Sequence, residues 1–265
     1  MISAEKQLLT ALLITHNEEH NIKSVLENLS FADEIIVLDS CSSDKTFEIA
    51  SSFKNVKVVQ RTFDNFAFQR NYALSLASNK WILFIDADER LTSKLEKEII
   101  SVINQKDSAA AYFMRRKFMF KNQKLNFSGW QTDKIIRLFK KENASYNREK
   151  IVHEKLIVNG ETAKLKNKLI HYSYTDYNNY KQKMIFYGQL KAQEEFEKKT
   201  NPNFFHFYIR PAYKFLYQYI FRLGFLDGRK GIIICYLNAL SIAVRFEELK
   251  KIRKEVKISK ISISS

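Results

Sequence analysis

Through the first hundred residues, short apolar runs alternate with amphipathic stretches. Leu8–Thr15, Glu34–Ser40, Val56–Arg61 and Trp81–Asp86 have the look of strands, and Glu18–Leu29, Ser43–Phe53, Asn65–Ala77 and Ser93–Ile103 that of helices. The strand-like runs are short and apolar, as strands covered on both faces are. This β-α rhythm with brief connections predicts a parallel, doubly wound α/β sheet, whose ligands bind beyond the carboxyl ends of its strands. Those ends read Thr15-His16-Asn17-Glu18, Asp39-Ser40-Cys41-Ser42-Ser43-Asp44 and Asp86-Ala87-Asp88-Glu89. All are polar and the last two are acidic.

After Ala109 the pattern changes. Ala110–Arg115, Ile135–Phe139, Lys155–Val158 and Leu169–Tyr172 predict an added mixed or antiparallel sheet, with polar loops between the strands. Thr175–Lys199 reads as a rather polar helix, and Asn201-Pro202-Asn203 as a boundary. Beyond it, breaks at Gly224 and at Gly228–Gly231 divide an aromatic segment into two or three amphipathic helices, and Lys250–Ser265 is expected to fray or lie on a surface.

Charge sharpens the reading of that last segment. The chain carries a net +15, and Phe204–Ser265 holds 12 Lys/Arg against 4 Asp/Glu, which is +8 of the total. The same segment is dense in Phe and Tyr, a mixture that suits an anionic membrane surface better than a duplex groove. Packing of these aromatic helices on the rest of the chain, or on a second subunit in a homodimer, is the alternative. The longest uncharged run, Gly231–Val244, has 14 residues, short of the roughly 20 a spanning helix needs. No transmembrane helix and no targeting segment are expected. Cys41 and Cys235 lie far apart without metal-ligand spacing, as suits a reducing cytosol.

Two carboxylates at i and i+2 where a strand becomes a loop, Asp86 and Asp88, can converge on a hard divalent cation that keeps open positions for phosphate oxygens. They can equally serve as acids leading into the helix at Ser93, the role in which Glu89 is read. Neither G-x-G-x-x-G nor a P-loop follows the first two strands, which disfavours dinucleotide oxidoreductases and P-loop NTPases.

The pieces "LLITHNEEHNI", "VLDSCSSDKT", "FAFQRNYAL" and "FIDADE", in this order, resemble the family 2 glycosyltransferases. "ADEIIVLDS", "GWQTDKIIRLFKK", "VHE", "IHYSY" and "RLGFLDGRKG" narrow the resemblance to the lipopolysaccharide-core β-glucosyltransferase subgroup. The likeness covers roughly residues 8–175. It implies a GT-A fold, a Rossmann-like and mostly parallel sheet flanked by helices, here with a C-terminal amphipathic helical extension. The expected division is a catalytic domain over residues 1–200 and an extension over 201–265. Within the domain, residues 1–105 would bind the nucleotide sugar and 106–200 the acceptor.

The resemblance also implies roles. Thr15, Asn17 and Glu18 would line the nucleotide pocket, Asp39 would accept from the uracil N3–H with Ser40 alongside, and Arg70 would lie near the base or diphosphate. Asp86 would sit between ribose and metal. Asp88 would be the principal ligand of Mg²⁺ or Mn²⁺, joined by His171, for which a hydrogen-bonded core role is the alternative. Glu154 matches the catalytic base, standing where a Glu-Asp pair is commoner, and Asp133 is its rival. Trp130 would stack on an acceptor sugar or simply pack, and His153 would be structural or line the acceptor site rather than act as a base. Arg115, Arg116 and Arg137 would meet acceptor phosphates or lie solvated on the surface, while Arg222, Arg229 and Lys230 would meet lipid head groups.

The function expected is inverting transfer of a hexose, glucose above others, from a UDP-sugar to a lipid-anchored saccharide at the inner face of the cytoplasmic membrane. Two other classes stand beside it. A nucleotidyltransferase making NDP-sugars would want a Gly-rich basic loop near the N-terminus, which "LLITHNEEHN" lacks. A nucleic-acid binder would suit the charge, but the acidic strand ends would repel phosphates without a metal, so no nucleic-acid partner is expected.

Overall fold

A computed structural model describes residues 6–121, 123–147, 156–174 and 177–263. The chain groups into two compact units, one of residues 1–117 with 133–171, the other of 118–132 with 172–265.

The first unit is built on a sheet whose parallel part is β1 (Leu9–Thr15), β2 (Glu34–Asp39), β3 (Val56–Gln60) and β4 (Trp81–Phe84). β5 (Glu89–Arg90), β6 (Ala111–Phe120), β7 (Gln123–Lys124) and β8 (Lys134–Lys140) follow along the chain, and then the paired β9 (Ala144–Tyr146) and β10 (Leu156–Val158) and the long β11 (Thr162–Tyr174). Across the sheet the order is β3-β2-β1-β4-β8-β6-β11-β5. The later strands therefore extend the same sheet, joining β4 antiparallel through β8, whereas the sequence suggested a separate addition. β6 and β11 outrun their expected limits because alternation continues through charged positions such as Arg115 and Arg116.

Alternate residues of each central strand feed opposite faces. Leu9, Ala11, Leu13, Ile35, Val37, Trp81 and Leu83 pack against residues of α1 (Glu19–Asn28), α2 (Thr46–Ser51) and α4 (Ser93–Ile103). Leu12, Ile36, Leu38, Ile82 and Phe84 pack instead against α3 (Phe66–Leu76). Full burial of each large side chain contributes about 1.5–3 kcal/mol, and the two-sided burial accounts for the continuous apolar runs. Capping sets the helix starts: Asn65 accepts from Phe68 N–H at 2.9 Å and Thr92 from Leu95 N–H at 3.2 Å. α2 begins three residues later than its amphipathic pattern suggests, because Asp44 is used to receive the Thr46 N–H at 2.9 Å.

In the second unit, α5 (Tyr177–Glu197) packs along α7 (Arg229–Ile263). Contact is close at Gly188, where a Cβ would lie 2.7 Å from the Ser241 carbonyl oxygen. In the chain between these two helices comes α6 (Arg210–Leu216), extended at both ends by π-helical turns, Phe205–Ile209 and Tyr217–Phe221. The boundary expected near residue 200 thus falls inside this unit, between α5 and the helices it joins. Of the two expectations for its C-terminal end, fraying is not seen through Ile263, to which α7 stays helical.

The run Arg222–Gly231 holds this unit's turn together. Asp227 is buried and accepts from the N–H groups of Asn126 and Phe127, each at 2.9 Å. A Cβ at Gly231 would come within 1.8 Å of the Gly224 carbonyl oxygen, so only glycine fits there. Arg222 donates to Thr132 Oγ1 at 2.6 Å and Lys230 to the Lys124 carbonyl at 3.2 Å, so both are engaged within the unit. Trp130 packs on Phe118, ring centroids 4.2 Å apart, as part of the unit's core. Replacing Gly231 with Ala should destabilise this unit by about 1–3 kcal/mol. Denaturation followed by fluorescence of Trp130, with Trp81 as reporter of the first unit, should show the loss on Trp130 first; equal midpoints to wild type would refute the close-contact account.

Candidate functional site

The site is assembled at the carboxyl ends of β1, β2 and β4. In the parallel register Thr15 lies beside Asp39, and Asp39 beside Gln60. One buried carboxylate therefore collects donors from both neighbouring strands. Thr15 Oγ1 and Gln60 Nε2 each donate to Asp39 at 3.2 Å, Ser42 N–H donates at 2.9 Å, and the Ser42 hydroxyl donates as well. A carboxylate has about four acceptor positions, so the folded chain by itself engages them all. Ser40 is held next to it by the buried Gln69, whose Nε2 donates to Ser40 Oγ at 3.0 Å.

Both neighbouring loops turn through left-handed backbone, at Asn17 (φ 56°) and Cys41 (φ 57°). Asn tolerates this region; for Cys it is uncommon, and such residues concentrate at functional loops. Asn17 ties the two loops together, donating its N–H to Ser42 Oγ and accepting the Ser43 N–H, both at 2.9 Å. Glu18 leads into α1, its N–H donating to Thr46 Oγ1 at 2.7 Å and its carboxylate accepting from Asn21 at 2.8 Å.

The end of β4 carries the strongest electrostatics. Asp86 Oδ1 meets Arg70 at 3.3 Å, and Oδ2 accepts a close hydrogen bond from Arg137. Arg137 also donates to Glu89 at 2.9 Å, while Arg116 lies 3.5 Å from the same Glu89 oxygen and pairs with Asp133 through two donors, at 2.7 and 3.2 Å. Arg70, Arg116 and Arg137 thus balance Asp86, Glu89 and Asp133. Glu89 is fully buried and Arg137 nearly so, and neither could remain charged there alone. Burial works against the charge on Asp86, but Arg137, Arg70 and His171 outweigh it and hold that carboxyl well below the usual carboxylate range. Burial likewise opposes the charge of Arg137, and Asp86 and Glu89 overcome it, raising its affinity for the proton. Arg70 lies over the rings of Phe84 and Tyr146, at 4.8 and 5.4 Å from their centroids.

Glu89 does not lead into α4; it lies beneath Asp86, accepting the Asp86 N–H at 3.1 Å. Arg116 and Arg137 are not solvated surface cations. The signal was present in "IIRLF", since an arginine inside an apolar strand needs a buried counter-charge.

Asp88 has a different partner from Asp86. Its Oδ2 lies 3.2 Å from His171 Nε2, brought there because β11 pairs with β5 so that His171 stands opposite Glu89. Among the described residues, no group of three His, Cys, Asp or Glu side chains is placed to hold a metal. The Asp88–His171 pair nonetheless offers one oxygen and one imidazole nitrogen side by side, a donor set that fits a divalent cation completed by phosphate oxygens. Both oxygens of Asp133 face Arg116. His153 and Glu154 lie outside the described residues, and Trp130 belongs to the second unit.

Residues 10–213 match the family model described as "Glycosyl transferase family 2". An uncharacterized glycosyltransferase of Rickettsia conorii is 28% identical over 268 residues, covering 97% of this chain and 94% of that protein. The lipopolysaccharide core biosynthesis glycosyltransferase LpsC of Rhizobium meliloti is 24% identical over 249 residues, 89% of this chain and 92% of its own length. Among solved structures, S. aureus TarS residues 1–349 align at 16% identity and a TM-score of 0.49, over 94% of this chain and 92% of that one.

Changing Arg137 to Met should cost about 3–5 kcal/mol of stability at neutral pH, by leaving buried carboxylates unpaired. Because the folded pKa of Asp86 is depressed, its contribution is complete above the unfolded value of about 3.9 and is lost as pH falls through the folded one. The deficit of the variant should therefore shrink in acid. Urea unfolding of both proteins across this range is the check; a deficit that is small, or constant with pH, would remove Arg137 from this role.

Proposed function

The chain belongs to glycosyltransferase family 2, and from that premise we propose that it transfers a hexose, most simply glucose, from a UDP-sugar with inversion to a lipid-linked saccharide of the cell envelope. Resemblance to LpsC, named for lipopolysaccharide core biosynthesis, supports the envelope assignment. The observation that carries the donor reading is the division of labour at the end of β4: Asp86 is neutralised by Arg70 and Arg137, while Asp88 is left facing His171.

In this reading Thr15, Asn17, Glu18, Asp39 and Ser40 form the nucleoside side of the pocket. A uracil N3–H would reach Asp39 by replacing one of its present donors, of which Gln60 is exposed and among the longest at 3.2 Å. Arg70, fixed over two rings, would keep a cation near the ribose and diphosphate, with Asp86 orienting it. Asp88 and His171 would hold Mg²⁺ or Mn²⁺, which when bound stabilises the negative charge of the departing diphosphate.

The acceptor hydroxyl must lose its proton as it attacks the anomeric carbon, and a carboxylate positioned as general base does this. Glu154 is the proposed base. Asp133, whose two oxygens face Arg116, is the weaker choice, since it would have to leave that pairing to accept a proton. Trp130 and His153 remain proposed acceptor contacts. The basic aromatic C-terminal region would hold the enzyme on the inner face of the cytoplasmic membrane; among the described residues no helix is long and apolar enough to cross one.

A donor screen for UDP release, with and without Mn²⁺ or Mg²⁺ and with lipid extract as acceptor, tests the proposal. Asp88→Asn should lower turnover by at least about 100-fold while leaving the thermal midpoint near that of wild type. Metal-independent turnover, or full activity in the variant, would overturn the assignment.

A further inference from the structure

The second unit carries an apolar face that its own packing leaves open. Along the helical stretch from residue 204 to 221, Phe204, Tyr208, Tyr213, Tyr217, Ile220 and Phe221 are exposed, with Phe221 at 73%. Tyr213, Tyr217 and Phe221 stack at successive helical turns, with centroids 5.8 and 6.1 Å apart. On another side of the same helix, α6 and α7 border a groove of about 410 Å³. Pro211, Phe215 and Leu216 form one wall and Tyr236, Leu240 and Ala243 the other, and among the described residues no charged side chain lines it.

The register of α7 places charge at both ends of this groove. Residues seven apart share a helix face, and Arg229, Tyr236, Ala243 and Lys250 are so spaced. The apolar channel therefore lies between two cations on the helix that forms its wall. One carboxylate, Glu247, shares that side, but from Arg245 to Lys260 there are seven Lys/Arg and three Glu. Tyrosine, with an apolar body and a polar tip, is the aromatic suited to a boundary between hydrocarbon and water.

We propose that the α6–α7 groove seats an acyl chain of an anionic membrane phospholipid, its head group lying toward the flanking cations. This rests on the membrane-surface reading above and deepens it: the protein would take one chain out of the bilayer surface, besides adsorbing to it. A cavity of this size falls within the range of small-molecule sites, about 300–1,000 Å³. The alternative cover, a second copy of this chain, would bring the flanking cations of one protomer against those of its partner across a two-fold axis.

The test uses the full chain and two probes. Palmitoyl-lysophosphatidylglycerol below its micellar concentration asks for the seat, and vesicles of phosphatidylglycerol and phosphatidylcholine ask for membrane binding. Wild type should bind one lysolipid per chain, more tightly than the phosphatidylcholine counterpart, and float with anionic vesicles. Ala212→Trp, at an exposed position of the groove wall, should weaken lysolipid binding at least about tenfold, with Ala243→Phe as a second blocking variant; vesicle flotation should persist. Vesicle binding without lysolipid binding, or lysolipid binding unchanged in both variants, would overturn the seat and leave the membrane reading standing. Failure to bind either probe would end both. A concentration-dependent dimer dispersed by Ala212→Trp would assign the groove to a second copy and likewise overturn the proposal.

Discussion

The buried pairing of Glu89 with Arg137 is the constraint on which the rest of the first unit's site depends. A carboxylate without solvent access can stay ionised only beside fixed positive charge, and Arg137 and Arg116 provide it. Arg137 then has a second donor contact to spend on Asp86, and Asp86 in turn fixes Arg70. The chain of contacts links β4, β5, β6, β8 and α3, so the strands that extend the parallel sheet also complete its charge balance. A hydrophobic replacement could pack as well, but it would not specify where Asp86 points.

Much of this architecture was legible in the sequence. Two-sided burial leaves uninterrupted apolar runs, and β1 to β4 could be read from these with errors of a residue or two at their ends. The polar carboxyl ends marked where the site would lie, and the structure brings Thr15 and Asp39 into a shared hydrogen bond and Asp88 to His171. What escaped were contacts without a local pattern. Glu89 looks like a helix-entry acid because its neighbours do; only the three-dimensional return of β8 and β6 reveals that it faces two arginines. The extent of β6 was hidden because Arg115, Arg116 and Lys117 interrupt apolarity without interrupting alternation.

The second unit teaches the same lesson from the other side. "RLGFLDGRKG" entered as a piece of the family resemblance and a break between helices; in the structure Gly224, Gly231 and Asp227 serve the close approach of one turn to another. Arg222, read as a lipid contact, spends its guanidinium on Thr132. Motif resemblance identifies which residues matter to a family; distances decide whether they matter for reaction or for shape.

Asp39 has a thermodynamic consequence of its own. An acceptor left empty in the free protein would strongly favour any ligand able to fill it and would penalise every ligand that could not. Here the carboxylate is already satisfied, so a nucleobase bonding to it as proposed would exchange one hydrogen bond for another. A base lacking the matching N–H leaves no buried group unpaired, because Thr15, Ser42 and Gln60 simply stay in place. Under the proposed donor reading, discrimination among pyrimidines at this carboxylate would therefore be shallow, and steeper selection would have to come from the shape of the two left-handed loops around it.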